Sequence, residues 1–149
     1  MKVADVMSRR VVALKPSHTL HDALKLFAAN RISGCPVTSR GKLVGVLSQS
    51  DIIALIDVHA KIQKETTSLV LAALVSEKYD ALKPAIRKLL NHEVRRYMQG
   101  NVVTISSGDD LYEAAKLMNK HKIERLPVVD GMRPVGIISK SDIARALGE

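Results

Sequence analysis

Two Ser-x-x-Asp elements, Ser48 with Asp51 and Ser139 with Asp142, are the side chains best suited to chemistry. Each closes a β-rich run and stands where a helix should begin. At a helix start this spacing puts a hydroxyl, a carboxylate and free backbone N–H groups on one lip. Hydroxyl and N–H groups suit a phosphate, and a carboxylate suits sugar hydroxyls. The lip therefore fits a phosphorylated, ribose-bearing ligand. Ser and Asp are also the preferred residues for capping a helix, and the two roles can coexist.

The elements that must position these side chains occur twice. Residues 126–142 read LPVVDGMRPVGIISKSD and residues 35–51 read CPVTSRGKLVGVLSQSD. In the second stretch, a strand from Pro127 and a strand from Val135 flank Asp130-Gly131. Asp-Gly between β-rich runs signals a hairpin, because Gly takes the positive φ of a tight turn. Pro36 and Pro127, Val44 and Val135, Ser48 and Ser139, and Asp51 and Asp142 all share one offset of 91 residues. The register extends without a gap back through Ile32/Ile123, Leu20/Leu111, Val11/Val102, Met7/Met98 and Val3/Val94. Roughly a third of the aligned positions are identical, which marks an internal duplication.

Each copy begins with a helical turn, Val3 to Met7 in the first, followed by a strand at Val11 to Leu14. Pro16-Ser17 ends that strand. Thr19 with Asp22, and Asp110 with Glu113, have capping-box spacing. Leu20, Ala23, Leu24 and Phe27, and Leu111, Ala114, Ala115 and Met118, recur at helical period. The fold class expected is α+β: two β-α-β-β-α repeats packed sheet to sheet about a pseudo-two-fold axis, with a helical insert between them. The boundaries are 1–60, 61–90 and 91–149, the two repeats forming one module with a cleft for each copy. In the insert, the closing helix of the first repeat should run to about Lys64. A second helix should start at Thr67 or Ser68 with Leu69, Ala72, Ala73 and Val75 inward. A third should hold Pro84 in its first turn and carry Ile86, Leu89 and Leu90. Asn91 is placed to cap the HEVRRYM turn.

Composition narrows the function classes. A net charge of +8 admits nucleic acid or small polyanions as partners. With only three Tyr, one Phe and no Trp, however, stacking platforms for single strands are scarce. Lys and Arg are also spread along the chain, as on a solvated face. The apolar run Leu69–Val75 is too short to span a bilayer. No signal-peptide core follows Met1, and a single cysteine makes no internal disulfide; a cytoplasmic protein is expected. His18 and His21 have Asp109 and Tyr112 as their counterparts and read as surface residues rather than metal ligands. Cys35, opposite Leu126, reads as a small hydrophobe. Gly45 and Gly136 read as sites of close backbone approach. There is no P-loop, nucleophile elbow or dinucleotide fingerprint, so no catalytic residue, metal or catalytic cofactor is expected.

The duplicated pattern is Val-x-x-x-Met, a strand, a capped helix, then Pro-Val, Val-Gly and Ser-x-Ser-Asp. It resembles the cystathionine β-synthase-type (CBS) domain, and the chain resembles a tandem CBS pair, or Bateman module, over residues 1–60 and 91–149. The resemblance implies non-catalytic, regulatory binding of an adenosine-containing ligand: AMP, ADP or ATP, with S-adenosylmethionine or NAD as alternatives. It implies that Asp51 and Asp142 hold ribose, with Ser48 and Ser139 on phosphate. Val12-Ala13 and Val103-Thr104 would contact adenine. The residues leading into Pro-Val, Ser33 to Pro36 (with Cys35) and Glu124 to Pro127 (with Leu126), would line the opposite side, and Arg125 would meet phosphate. Arg125 and Lys140 face Gly34 and Gln49 in the first copy, so the second cleft should bind nucleotide more tightly. A homodimer and a separate regulated protein are also implied. A module that binds RNA or DNA and an enzyme that turns over a nucleotide are the alternatives from other classes.

Overall fold

The computed structural model describes residues 1–62 and 78–148. The elements are α1 (Val3–Val6), α2 (Leu20–Asn30), β1 (Gly34–Ser39), β2 (Lys42–Ser48), α3 (Gln49–Ile62), α4 (Lys78–Leu90), a 3-10 turn (Val94–Arg96), β3 (Ile105–Ser106), α5 (Leu111–His121), β4 (Arg125–Asp130), β5 (Arg133–Ser139) and α6 (Lys140–Gly148). The chain is thus a mixed α/β protein with two sheets. From α2 to the start of α3, every element recurs 91 residues later, from α5 to the start of α6.

Local chemistry explains why these segments form. Thr19 Oγ1 accepts from the N–H of Asp22 at 3.1 Å, and Asp22 Oδ2 accepts from the N–H of Thr19 at 2.9 Å. This is the full capping box at the start of α2. At α5 half of it is present: Asp110 Oδ1 accepts from Glu113 N–H, while the Glu113 carboxylate faces Lys116. In the first hairpin both loop residues, Arg40 and Gly41, have positive φ (53° and 75°), the pattern of a type I′ turn. The second hairpin departs from expectation. Its loop is Gly131-Met132, with positive φ at Gly131 alone, as in a type II′ turn. Asp130 is instead the last residue of β4, and its Oδ1 accepts from Ser107 Oγ at 2.7 Å. The shift accompanies a register irregularity at Val128/Val129. There Pro134, which has no N–H to give the ladder, stands opposite Val129.

The chain divides into two compact units that cut across the repeats. One comprises Met1–Ala13, Pro36–Val46 and Gln99–Glu149; the other comprises Leu14–Cys35 and Leu47–Met98. In the first, the three-stranded sheet has the order β3-β4-β5, with β3 parallel and β5 antiparallel to β4. Its core is formed by Val3, Met7, Ile105, Leu111, Ala114, Met118, Leu126, Val128, Ile138 and Ile143. The leading segment of the first repeat thus packs into the second. Val3 N–H donates to Asp109 O, Ala4 N–H to Ser107 O, and Ser8 and Ile137 exchange both backbone bonds at 2.9 Å. In the second unit, α2 packs on α3 and α4, and Leu14, Leu20, Ala23, Phe27, Leu47, Ile52, Leu89 and Val94 are buried. The leading segment of the second repeat joins it, with Val94 N–H donating to His18 O at 2.7 Å and Leu20 N–H donating to His92 O at 3.0 Å.

Several expectations are corrected. No regular strand forms at Val11–Leu14, and in the second copy the strand is only Ile105–Ser106. It is limited to two pairs, Ile105 with Val128 and Ser106 with Val129. Pro84 lies inside α4 (Lys78–Leu90) rather than in its first turn. Glu93, not Asn91, holds the N-cap position of the 3-10 turn. The helix expected from Thr67 or Ser68 lies outside the described residues.

Candidate ligand site

The strand-to-helix junctions have the same local construction in both copies. Asp142 Oδ2 accepts from Ser139 N–H at 2.9 Å and from Ser139 Oγ at 2.6 Å, and Asp142 N–H donates to Ser139 Oγ at 3.2 Å. Asp51 Oδ2 accepts from Ser48 N–H at 2.9 Å and from Ser48 Oγ at 3.0 Å, and Asp51 N–H donates to Ser48 Oγ at 3.2 Å. Capping is therefore performed at both junctions. In each it engages Oδ2 of the carboxylate. In the second copy, Oδ1 of Asp142 accepts from Arg145 Nη2 at 2.6 Å. A carboxylate offers about four lone-pair sites, so a diol can still be accepted alongside or in place of Arg145. The Asp142 side chain is 19% exposed.

Around Ser139 the charges are specific to the second copy. Arg125 pairs across the ladder with Ser139 and has no ion pair among the described residues. Lys140 N–H donates to Glu124 O at 3.0 Å, and its Nζ donates to Glu124 Oε1 at 2.9 Å. In the first copy the matching backbone bond runs from Gln49 N–H to Ser33 O at 2.8 Å, with neutral side chains. Gly34, the counterpart of Arg125, is tightly enclosed. A Cβ there would meet Leu47 O at 2.9 Å, so a longer residue would not fit without backbone movement.

The other expected residues take varied places. Val12, Ala13, Val103 and Thr104 are half-buried. Val12 and Ala13 belong to the same compact unit as Asp142, not to that of Asp51. Leu126 is fully buried in the core, and Pro36 and Pro127 are buried; Leu126 has no exposed side-chain surface to offer a ligand. Cys35 is 5% exposed, and burial pushes its thiol up to about 11, which keeps it protonated near neutral pH. A cavity of about 190 Å³ lies beside the Gly131-Met132 turn, walled by Leu43, Val129 and the chain from Gly100 through Val102 to Thr104. Of the expected residues it includes Thr104 alone. His18 serves a local turn, its Nδ1 accepting from Lys15 N–H at 2.9 Å. Sequence reasoning missed Arg145, and it placed Glu124 in the segment leading into Pro127 without its pairing to Lys140. Arg145 stands three residues after Asp142, a spacing that brings helical side chains together. The Glu124–Lys140 pairing gave no such signal, because the two residues are brought together by the β4–β5 pairing.

The CBS domain family profile matches residues 3–58 and 94–149. The chain belongs to the CBS domain family. It is 34% identical over 158 aligned residues to MJ1426 of Methanocaldococcus jannaschii, covering 99% of this chain and 91% of that protein. It is 30% identical to the chloroplastic CBS domain-containing protein CBSX2 of Arabidopsis thaliana, over 97% of this chain and 62% of that protein. A crystal structure of CBSX2 in complex with AMP superposes with a TM-score of 0.72 at 28% identity, covering 98% of this chain and 95% of that one. A crystal structure of AcuB, a putative acetoin utilization protein from Vibrio cholerae, gives a TM-score of 0.69 at 30% identity, over 99% and 90% of the two chains. Both solved structures share the fold of this chain. Among the described residues, no helix is long and apolar enough to cross a membrane.

Proposed function

We propose that this CBS pair is a non-catalytic regulatory module that binds an adenosine-containing ligand, AMP, ADP or ATP before S-adenosylmethionine or NAD, and passes its ligand state to a partner protein. The observation that carries the reading is the Ser139–Asp142 junction. Its capping bonds engage Oδ2 of Asp142, while Oδ1 accepts from the exposed Arg145, and two cations adjoin Ser139: Arg125 is its partner across the ladder and Lys140 follows it in the chain. A ribose diol on Asp142 Oδ1 and a phosphate on Arg125, Lys140 and the Ser139 hydroxyl would use the groups present. Charge-assisted contacts of this kind are about twice as strong as neutral ones, which favours the second junction over the first. CBSX2, a relative over nearly the whole chain, has been solved with AMP. Ligand binding would act by population shift, favouring the arrangement that a partner reads.

A thermal-shift panel of AMP, ADP, ATP, NAD and S-adenosylmethionine tests this. A ligand at a hundred times its Kd stabilises by about 2.7 kcal/mol, or about 5–11 °C for a domain of this size. Asp142→Asn, which retains an acceptor for the cap, should lose most of that shift, and mass analysis should return the ligand unchanged. Failure of all five ligands to raise the melting temperature would overturn the reading.

A further inference from the structure

We infer that Glu124 is a specificity-determining residue of the second junction, limiting how much phosphate charge the site accepts. The inference rests on the functional reading above. The backbone bond from Lys140 N–H to Glu124 O holds the two residues side by side, and Lys140 Nζ donates to Glu124 Oε1 at 2.9 Å. Lys140 is thus already paired with an acid, which directly precedes Arg125 in the chain. A phosphate arriving there must share Lys140 with Glu124 or displace it, and it meets a like charge while doing so. The pair is exposed, with the Glu124 side chain 73% and the Lys140 side chain 41% accessible. Exposed ion pairs are weak, so the exchange is open to a ligand whose charge outweighs one carboxylate. Ser33 and Gln49 occupy the equivalent places in the first copy, so this control belongs to the second junction alone. The capping pair of Ser139 and Asp142 is untouched by it. A nucleoside without phosphate should not sense Glu124.

The test is calorimetry on the full chain with AMP, ATP and 5′-methylthioadenosine, for wild type and Glu124→Gln. Removing one acid near the phosphate should tighten AMP by about three- to tenfold and ATP by more. This follows from one unit-charge contact being worth about a factor of five in water. The gain should shrink at high salt. Binding of 5′-methylthioadenosine should stay within about twofold. Lys140→Gln, the second variant, should weaken AMP more than 5′-methylthioadenosine. If wild type binds AMP but Glu124→Gln leaves it unchanged or weaker, or tightens 5′-methylthioadenosine equally, the inference fails while the functional reading stands. If wild type binds none of the three, the inference fails, and the functional reading fails with it once ADP, NAD and S-adenosylmethionine also leave the melting temperature unchanged.

Discussion

Replacing Gly136 by alanine should loosen the attachment of the leading segment to β5. A Cβ at this position would lie 2.5 Å from Met7 Sδ, 3.1 Å from Met7 Cγ and 2.9 Å from Ser8 O. The sulfur belongs to a flexible side chain and can give way. The carbonyl cannot, because Ser8 O accepts from Ile137 N–H at 2.9 Å, next to Gly136 itself. Forcing a methyl into such a space costs about 1–3 kcal/mol, and weakening the Ser8–Ile137 pair adds about 0.5–1.5 kcal/mol. The sum, about 2–4 kcal/mol, corresponds to a fall in melting temperature of about 5–15 °C. Urea unfolding measures it directly. Gly100→Ala is the control: nothing lies within 4 Å of its Cβ and its φ is not positive, so it should shift stability by no more than about 0.5 kcal/mol. In a Met7→Ala background the cost of Gly136→Ala should fall, but not vanish, because Ser8 O remains. Equal effects of Gly136→Ala and Gly100→Ala would refute the close approach. Complete suppression by Met7→Ala would refute the role of the backbone in it.

Two further outcomes follow from the titrating groups. Hydrogen bonds from Thr19, the backbone N–H first and the hydroxyl second, hold the Asp22 carboxyl below its ordinary value of 3.8. The stability this contributes is present above that value and lost as pH falls through the lower folded one. Asp22→Ala should therefore destabilise the protein at pH 7, with the difference closing in strong acid; a pH-independent difference in urea titrations would contradict this. Cys35 runs in the opposite sense. Burial raises its thiol from 9.0 to about 11, so the unfolded chain loses that proton first and stability declines from about pH 9 upward. A maleimide at pH 8 should label Cys35 in urea but not in the native protein. The advantage of wild type over Cys35→Ala should shrink between pH 8 and pH 10.5.

What the sequence determined by itself is whatever lies within a few residues along the chain. The Thr19–Asp22 cap and the Ser-x-x-Asp junctions each need only neighbours three positions apart, so spacing and residue type suffice to read them, whereas the second turn settled on Gly131-Met132 rather than Asp130-Gly131. The 91-residue offset was equally open, since duplication is a property of the string. The tertiary structure decided the rest. Nothing local announces that Met1–Ala13 joins the second repeat, or that Gly136 must be small because Met7 and Ser8 lie against it. Nor is there a local reason for α2 and α5 to end on Arg31 and Lys122, both at φ 53°, where a glycine would be expected. The charges of the second junction follow the same rule. Arg125 was visible as a cation and Glu124 as part of the segment leading into Pro127, but that Glu124 pairs with Lys140 was decided when β4 and β5 came together. Local bonds are selected by a few dihedrals, whereas contacts across a hundred residues are selected by how whole faces pack, and no short window of sequence contains both sides.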